Sequence, residues 1–181
     1  MSEELDRGLE RAMQTKPIPK TLAGRTSFLV KQFKGTKNAA RELGVSQRSV
    51  ERWLKGGGIS KDNAKKVEDA VRERWQPRIR DRIRKAAETN GFTVEVSATF
   101  GFKTTGPGTD DPRDRILPPQ KLSGDIARRL FEARDAGASQ QKQEKIIAEG
   151  LRDAYFTDWG RRARGLEVTL TGLHWAEFSV D

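Results

Sequence analysis

The side chains best placed to do chemistry in this chain of 181 residues are hydroxyls. Thr104, Thr105 and Thr109 fall in "GFKTTGPGTDDPRDR", Gly101 to Arg115, among glycines, two prolines and three aspartates. Gly106, Pro107 and Gly108 are a turn signal that puts Thr109 at the far end of the segment. A threonine there becomes a nucleophile only where a base or a metal site activates it. The same residue types also make ordinary surface loops. Asp110, Asp111 and Asp114 fix such loops through Asx-type turns and pair with Arg113 and Arg115. Composition leaves both readings open.

Other chemistry lacks its parts. There is no cysteine and one histidine, His174, flanked by Leu173 and Trp175. That excludes disulfide frameworks and the usual zinc sites, and it argues against Cys–His or Ser–His catalysis. Tyr155 is the only tyrosine, which invites a relaxase or topoisomerase reading. Its neighbours Ile147, Leu151 and Ala154 place it on an apolar helix face, however, and no histidine cluster stands by to hold a metal. It therefore reads as core. "TGPG" lacks the Lys-Ser/Thr ending of a phosphate-binding loop. No catalytic residue, metal ligand or bound cofactor is assigned.

The formal charge is +9, and it is uneven. Residues 1–90 hold 22 lysines and arginines against 12 acids, a net +10, whereas residues 91–181 hold 13 against 14. A half that carries all the excess positive charge is the half that holds a polyanion.

Within that half, Leu22, Thr26, Leu29, Val30 and Phe33 recur at helical spacing up to Gly35. "TKNAARELGVSQRSVERWLKGG" follows. Ala39, Ala40 and Leu43 mark a short helix, Gly44 a left-handed turn, Val45 its plug, and Ser46 the N-cap of a second helix bearing Val50, Trp53 and Leu54. Small and aliphatic residues at those positions let two helices cross closely, as in a DNA-binding helix-turn-helix. The outward face of the second helix carries Gln47, Arg48, Ser49, Glu51 and Arg52, side chains suited to base edges and phosphates, and Lys55 just beyond it is a further DNA-binding candidate. Trp53 reads as core. After the "GGGIS" hinge, with Ser60 as N-cap, a basic helical pattern runs to Asn90-Gly91, kinked or divided at Pro77. Arg72, Arg74, Arg78, Arg80, Arg82, Arg84 and Lys85 make it a phosphate-tracking surface.

The second half alternates differently. "FTVEVSATFGF" places Phe92, Val94, Val96, Ala98, Phe100 and Phe102 on one face of a strand. Arg115 to Leu117 reads as a short strand, and Pro118-Pro119 as the opening of a helix bearing Leu122, Ile126, Leu130 and Ala133. Ser139 caps a further helix, and "LEVTLT" and "LHWAEFSV" read as two terminal strands. The strand, helix, "GAS" turn, helix order also resembles ribbon-helix-helix dimerisation units. The expected fold is thus α+β: an N-terminal arm over 1–20, an all-α DNA-binding domain over 21–90, and a small α+β domain over 91–181 with a dimerisation surface.

Several motifs together resemble one family: "KPIPKTL" (Lys16 to Leu22), "LGVSQRSVERW", "RERWQPRIR", "FGF…GTDDPR" and "IIAEGLRDAYF". They are similar to those of the telomere terminal proteins of linear actinomycete replicons, the Streptomyces type, across nearly the whole chain. The "GGGIS" segment departs from that pattern. The resemblance implies a protein that binds telomeric DNA, duplex and single-stranded or folded 3′ overhang, alongside a companion telomere-associated protein. It further implies covalent attachment to the DNA 5′ end through a threonine, which primes end patching by a DNA polymerase. Magnesium and the deoxynucleotide then belong to that polymerase, and the chain itself is a primer, not an enzyme. Thr109 is the first choice for the primer hydroxyl, Thr105 the second and Thr104 the third. No membrane-spanning run or signal peptide is read, so the expected location is cytoplasmic, with the nucleoid at replicon ends. The rival reading is a helix-turn-helix transcription regulator whose second half dimerises.

Overall fold

The computed structural model describes residues 3–103, 112–157 and 165–180. It is an α+β protein that divides into two compact units. One, the helical unit, is Lys16–Arg78; the other, the sheet unit, combines Met1–Thr15 with Ile79–Asp181. Among the described residues no helix is long and apolar enough to cross a membrane.

The helical unit contains α2 (Leu22–Gln32), α3 (Thr36–Leu43), α4 (Gln47–Leu54) and α5 (Lys61–Arg74). Its core is Leu29, Ala39, Ala40, Leu43, Val50, Trp53, Val67 and Val71. Hydroxyl caps set three of the four helix starts: Thr21, Ser46 and Ser60 accept the N–H groups of Gly24, Ser49 and Asn63. Such caps satisfy backbone donors that the first turn leaves unpaired. The segment before α2 is tied down as well, since Trp75 Nε1 donates to the Lys16 carbonyl at 2.8 Å and Arg25 Nε to that of Pro19 at 2.9 Å. After α5 the backbone breaks at Gln76, whose φ is 50°. Pro77 then opens α6 (Pro77–Asn90), where a missing N–H costs no hydrogen bond. The basic pattern is therefore two helices, and most of α6 belongs to the sheet unit.

The sheet unit is built on an antiparallel sheet of order β2-β1-β3, from β1 (Phe92–Lys103), β2 (Arg113–Leu122) and β3 (Glu167–Ser179). The central strand buries Phe92, Val94, Val96, Ala98 and Phe100 as its alternation requires. Against that face pack α1 (Glu3–Ala12), α7 (Gly124–Asp135) and α8 (Gln140–Leu151), which supply Leu5, Leu9, Ile126, Leu130, Ile147 and Leu151.

Four expectations are corrected here. Residues 1–20 are not an arm and 21–90 not one domain: α1 seats Leu5, Leu9 and Met13 in the sheet core, and the units part at 15/16 and 78/79. Pro118 and Pro119 do not open a helix; they lie in the edge strand β2 opposite Glu95, where the pairing steps from Val94–Gln120 to Val96–Leu117. An edge bulge tolerates residues that cannot donate to a ladder. The following helix starts later, at Gly124, with Ser123 as its cap. Finally, the two terminal strands are one, β3, whose pairing with β1 shifts register at Ser97/Ala98 and Thr99/Phe100. Those irregularities, close to Gly172, are why the sequence pattern reads as interrupted.

Candidate nucleic-acid interface

Charge follows the structural boundary more sharply than it follows the chain's midpoint. Lys16–Arg78 holds 16 lysines and arginines against 6 acids, a net +10; all other residues hold 19 against 20. The helical unit alone carries the excess.

In that unit, α3 ends at Gly44, whose φ of 64° and ψ of 40° put it in the left-handed region that glycine enters most readily. Val45 turns the chain, its N–H bonded back to the Ala40 carbonyl at 2.9 Å. Ser46 Oγ then accepts the Ser49 N–H at 3.2 Å and starts α4. Because Val50 and Trp53 are buried, the helical period forces Arg48, Arg52 and Lys55 outward in one stripe, at i, i+4 and i+7. All three are exposed, and none of their side chains has a hydrogen-bonding or ionic partner among the described residues. Cations left unpaired in this way can exchange their counterions for phosphates. Gln47 differs: its Nε2 donates to Thr36 Oγ1 at 3.2 Å and to Glu51 Oε1 at 2.8 Å, a clasp between the starts of α3 and α4. The Ser49 hydroxyl lies 2.9 Å from that of Ser46.

The remaining basic candidates are placed unequally. Arg72 pairs with Glu68 at 2.8 Å, and Glu68 also faces Arg25 at 3.8 Å. Arg74 pairs with Glu73 and lies 4.8 Å over the Phe33 ring. Arg78 closes the helical unit and is exposed. Arg80, Arg82, Arg84 and Lys85 belong to the sheet unit. Arg84 bonds Glu88 at 2.8 Å and Asp135 at 2.7 Å and sits over Phe131, so it helps to fasten α6 to α7. Chiefly because of Glu88, its guanidinium holds its proton more tightly than usual. Arg82 and Lys85 are exposed. The twelve basic and polar candidates thus fall on two units, with the unpaired stripe on α4.

Thr104, Thr105 and Thr109 lie outside the described residues, between β1 and β2 in the chain. At the foot of that segment the sheet carries a polar group that the sequence does not single out. Asp114 accepts from Thr99 Oγ1 at 2.5 Å and faces His174 Nε2 at 3.5 Å. The Thr99 hydrogen bond, then His174, hold its carboxyl below the usual carboxylate range. Tyr155 is not core, contrary to its apolar spacing. It is in a π-helical turn, Arg152–Phe156, that continues α8 with a wider winding, which rotates it out to 36% exposure.

Comparison with known protein families, curated proteins and solved structures found no match.

Proposed function

We propose that the chain is a DNA-binding protein primer of the telomere terminal type, the family its motifs resemble. The observation that carries the reading is the unpaired stripe Arg48, Arg52, Lys55 on a capped helix in a unit of net charge +10. In this reading α3 and α4 are a helix-turn-helix, with α4 in the major groove. Arg48 and Arg52 then meet base edges or phosphates, and Lys55 meets the backbone.

The sheet unit is the partner-facing half. Its priming hydroxyl is Thr109, ahead of Thr105 and Thr104. The oxygen attacks the α-phosphorus of a deoxynucleoside triphosphate in line, a P–O bond forms, and pyrophosphate leaves with the electrons of the broken bond. The hydroxyl proton passes to solvent. The polymerase partner supplies the magnesium ions and the template geometry for that step, so the chain needs no catalytic group of its own.

The test is transfer of label. The protein is incubated with telomeric template, polymerase and an α-labelled deoxynucleotide, and label is sought on denatured protein. Radioactive protein that survives denaturation is expected; none, with an active polymerase, overturns the reading. A transcription regulator is the second reading. Ile116, 67% exposed on the edge strand β2, favours it as a surface for a second copy. Operator binding without labelling would select it.

A further inference from the structure

Among the described residues, Phe102, Arg115, Tyr155, Phe156 and Leu166 of the sheet unit line an open hollow of about 410 Å³. Its walls are aromatic, and its charge among the described residues is a single cation. Phe156 is the hub, with ring centroids 5.0 Å from Phe102, 5.4 Å from Phe100 and 5.0 Å from Tyr155, all tilted or edge-on. That packing anchors Tyr155 from one side while leaving it partly open to solvent. Arg115 lies 5.5 Å over the Phe102 ring and has no carboxylate partner among the described residues.

We propose that this cavity binds one nucleotide of a single-stranded DNA segment, the base against Tyr155 and Phe102 and the phosphate at Arg115. Each feature of the cavity selects that occupant. A flat apolar body suits rings fixed edge to face, and stacking on such rings tolerates any base. An anionic group suits an arginine that has no carboxylate partner among the described residues. The size falls in the range of small-molecule sites, toward its lower end. An acidic or cationic peptide lacks one or other of these matches. The inference deepens the priming reading and rests on it for the identity of the strand. Phe102 stands seven residues before Thr109 in the chain, and on the priming reading the strand held here is the end that priming serves.

The experiment measures binding of the full chain to a fluorescent oligothymidylate and, separately, to a blunt duplex. Tyr155→Ala weakens oligothymidylate binding about tenfold and leaves duplex binding unchanged, because the duplex is held by the other unit. Tyr155→Phe keeps wild-type affinity, since the ring remains. Arg115→Gln weakens the same binding and lowers its salt dependence by about 0.7 in logarithmic slope. Arg115 is exposed, so this variant decides the matter if Tyr155→Ala fails to fold. Wild-type oligothymidylate affinity in Arg115→Gln and in folded Tyr155→Ala overturns the proposal. So does an equal loss on duplex, or a loss confined to binding a protein partner. Labelling is a separate readout: wild-type protein that accepts label while both variants bind normally refutes the cavity alone. Oligothymidylate binding at the cavity without any labelling refutes the priming reading and leaves the cavity standing.

Discussion

Arg52 of α4 is laid against Gly57. A Cβ at Gly57 would stand 2.4 Å from Arg52 Cγ and 3.0 Å from the Arg52 carbonyl, to which Gly57 already donates its N–H at 2.9 Å. The turn after α4 therefore sets the direction of an arginine on the proposed DNA-reading stripe. Gly57→Ala must push the arginine stem aside. Its expected result is weaker binding to specific duplex DNA, approaching the loss in Arg52→Ala of about 1–3 kcal/mol. Mobility-shift titrations check this, and full affinity in Gly57→Ala would separate the turn from DNA recognition.

Salt dependence distinguishes the α4 stripe from α6. Neutralising Arg48, Arg52 and Lys55 together reduces the logarithmic salt slope on duplex DNA by about 0.9 for each phosphate that then goes unneutralised. Arg84→Gln is expected to leave that slope alone and lower the melting temperature instead, because its partners are Glu88 and Asp135. The reverse pattern would return phosphate binding to α6.

The first helix is part of the sheet unit's core, and Gly8 shows how closely it sits. A Cβ there would come 2.3 Å from the Ala176 carbonyl oxygen and 3.0 Å from two carbons of the Phe178 ring. Gly8→Val should cost about 1–3 kcal/mol of stability through overpacking. Chemical denaturation measures it; an unchanged midpoint would mean that α1 does not dock.

Asp114 provides a pH prediction of definite sign. Its carboxyl is held below the ordinary range by Thr99 and then His174, so the fold favours its charged form. That contribution is present above the ordinary carboxylate pKa and is lost as pH falls through the lower folded value. Asp114→Asn should therefore lower the melting temperature near neutral pH, with the difference closing below about pH 4. A difference that persists undiminished into stronger acid would show that the aspartate acts by shape rather than charge.

Where residue type and period act locally, the sequence was readable. Gly44, Ser46, Val50 and Trp53 specify a turn, a cap and two buried positions within one short segment, and the strand alternation of β1 survives through Phe100. What escaped depends on partners distant in the chain. Leu5, Leu9 and Met13 have the spacing of a helix face, yet their burial comes from β3 and the rest of the sheet core, not from their charged neighbours. Pro118 and Pro119 look like a helix start until the bulge opposite Glu95 gives them an edge to occupy. Tyr155 shares the apolar spacing of α8, and only a change of helical winding turns it outward. The α4 stripe was legible as a face. That Gln47 and the α5 arginines are engaged elsewhere depends on side-chain geometry, which spacing does not encode.

The most direct test is to map the covalent adduct. Protein labelled by polymerase and α-labelled deoxynucleotide on a telomeric template is digested, and the modified peptide is sequenced by mass spectrometry. The priming account predicts one deoxynucleoside monophosphate on the peptide that contains Thr109, absent from Thr109→Ala and partly kept in Thr109→Ser, with duplex binding normal in both. An adduct on Tyr155 or on a serine, or wild-type labelling by Thr109→Ala together with unmodified Thr104 and Thr105, would contradict it.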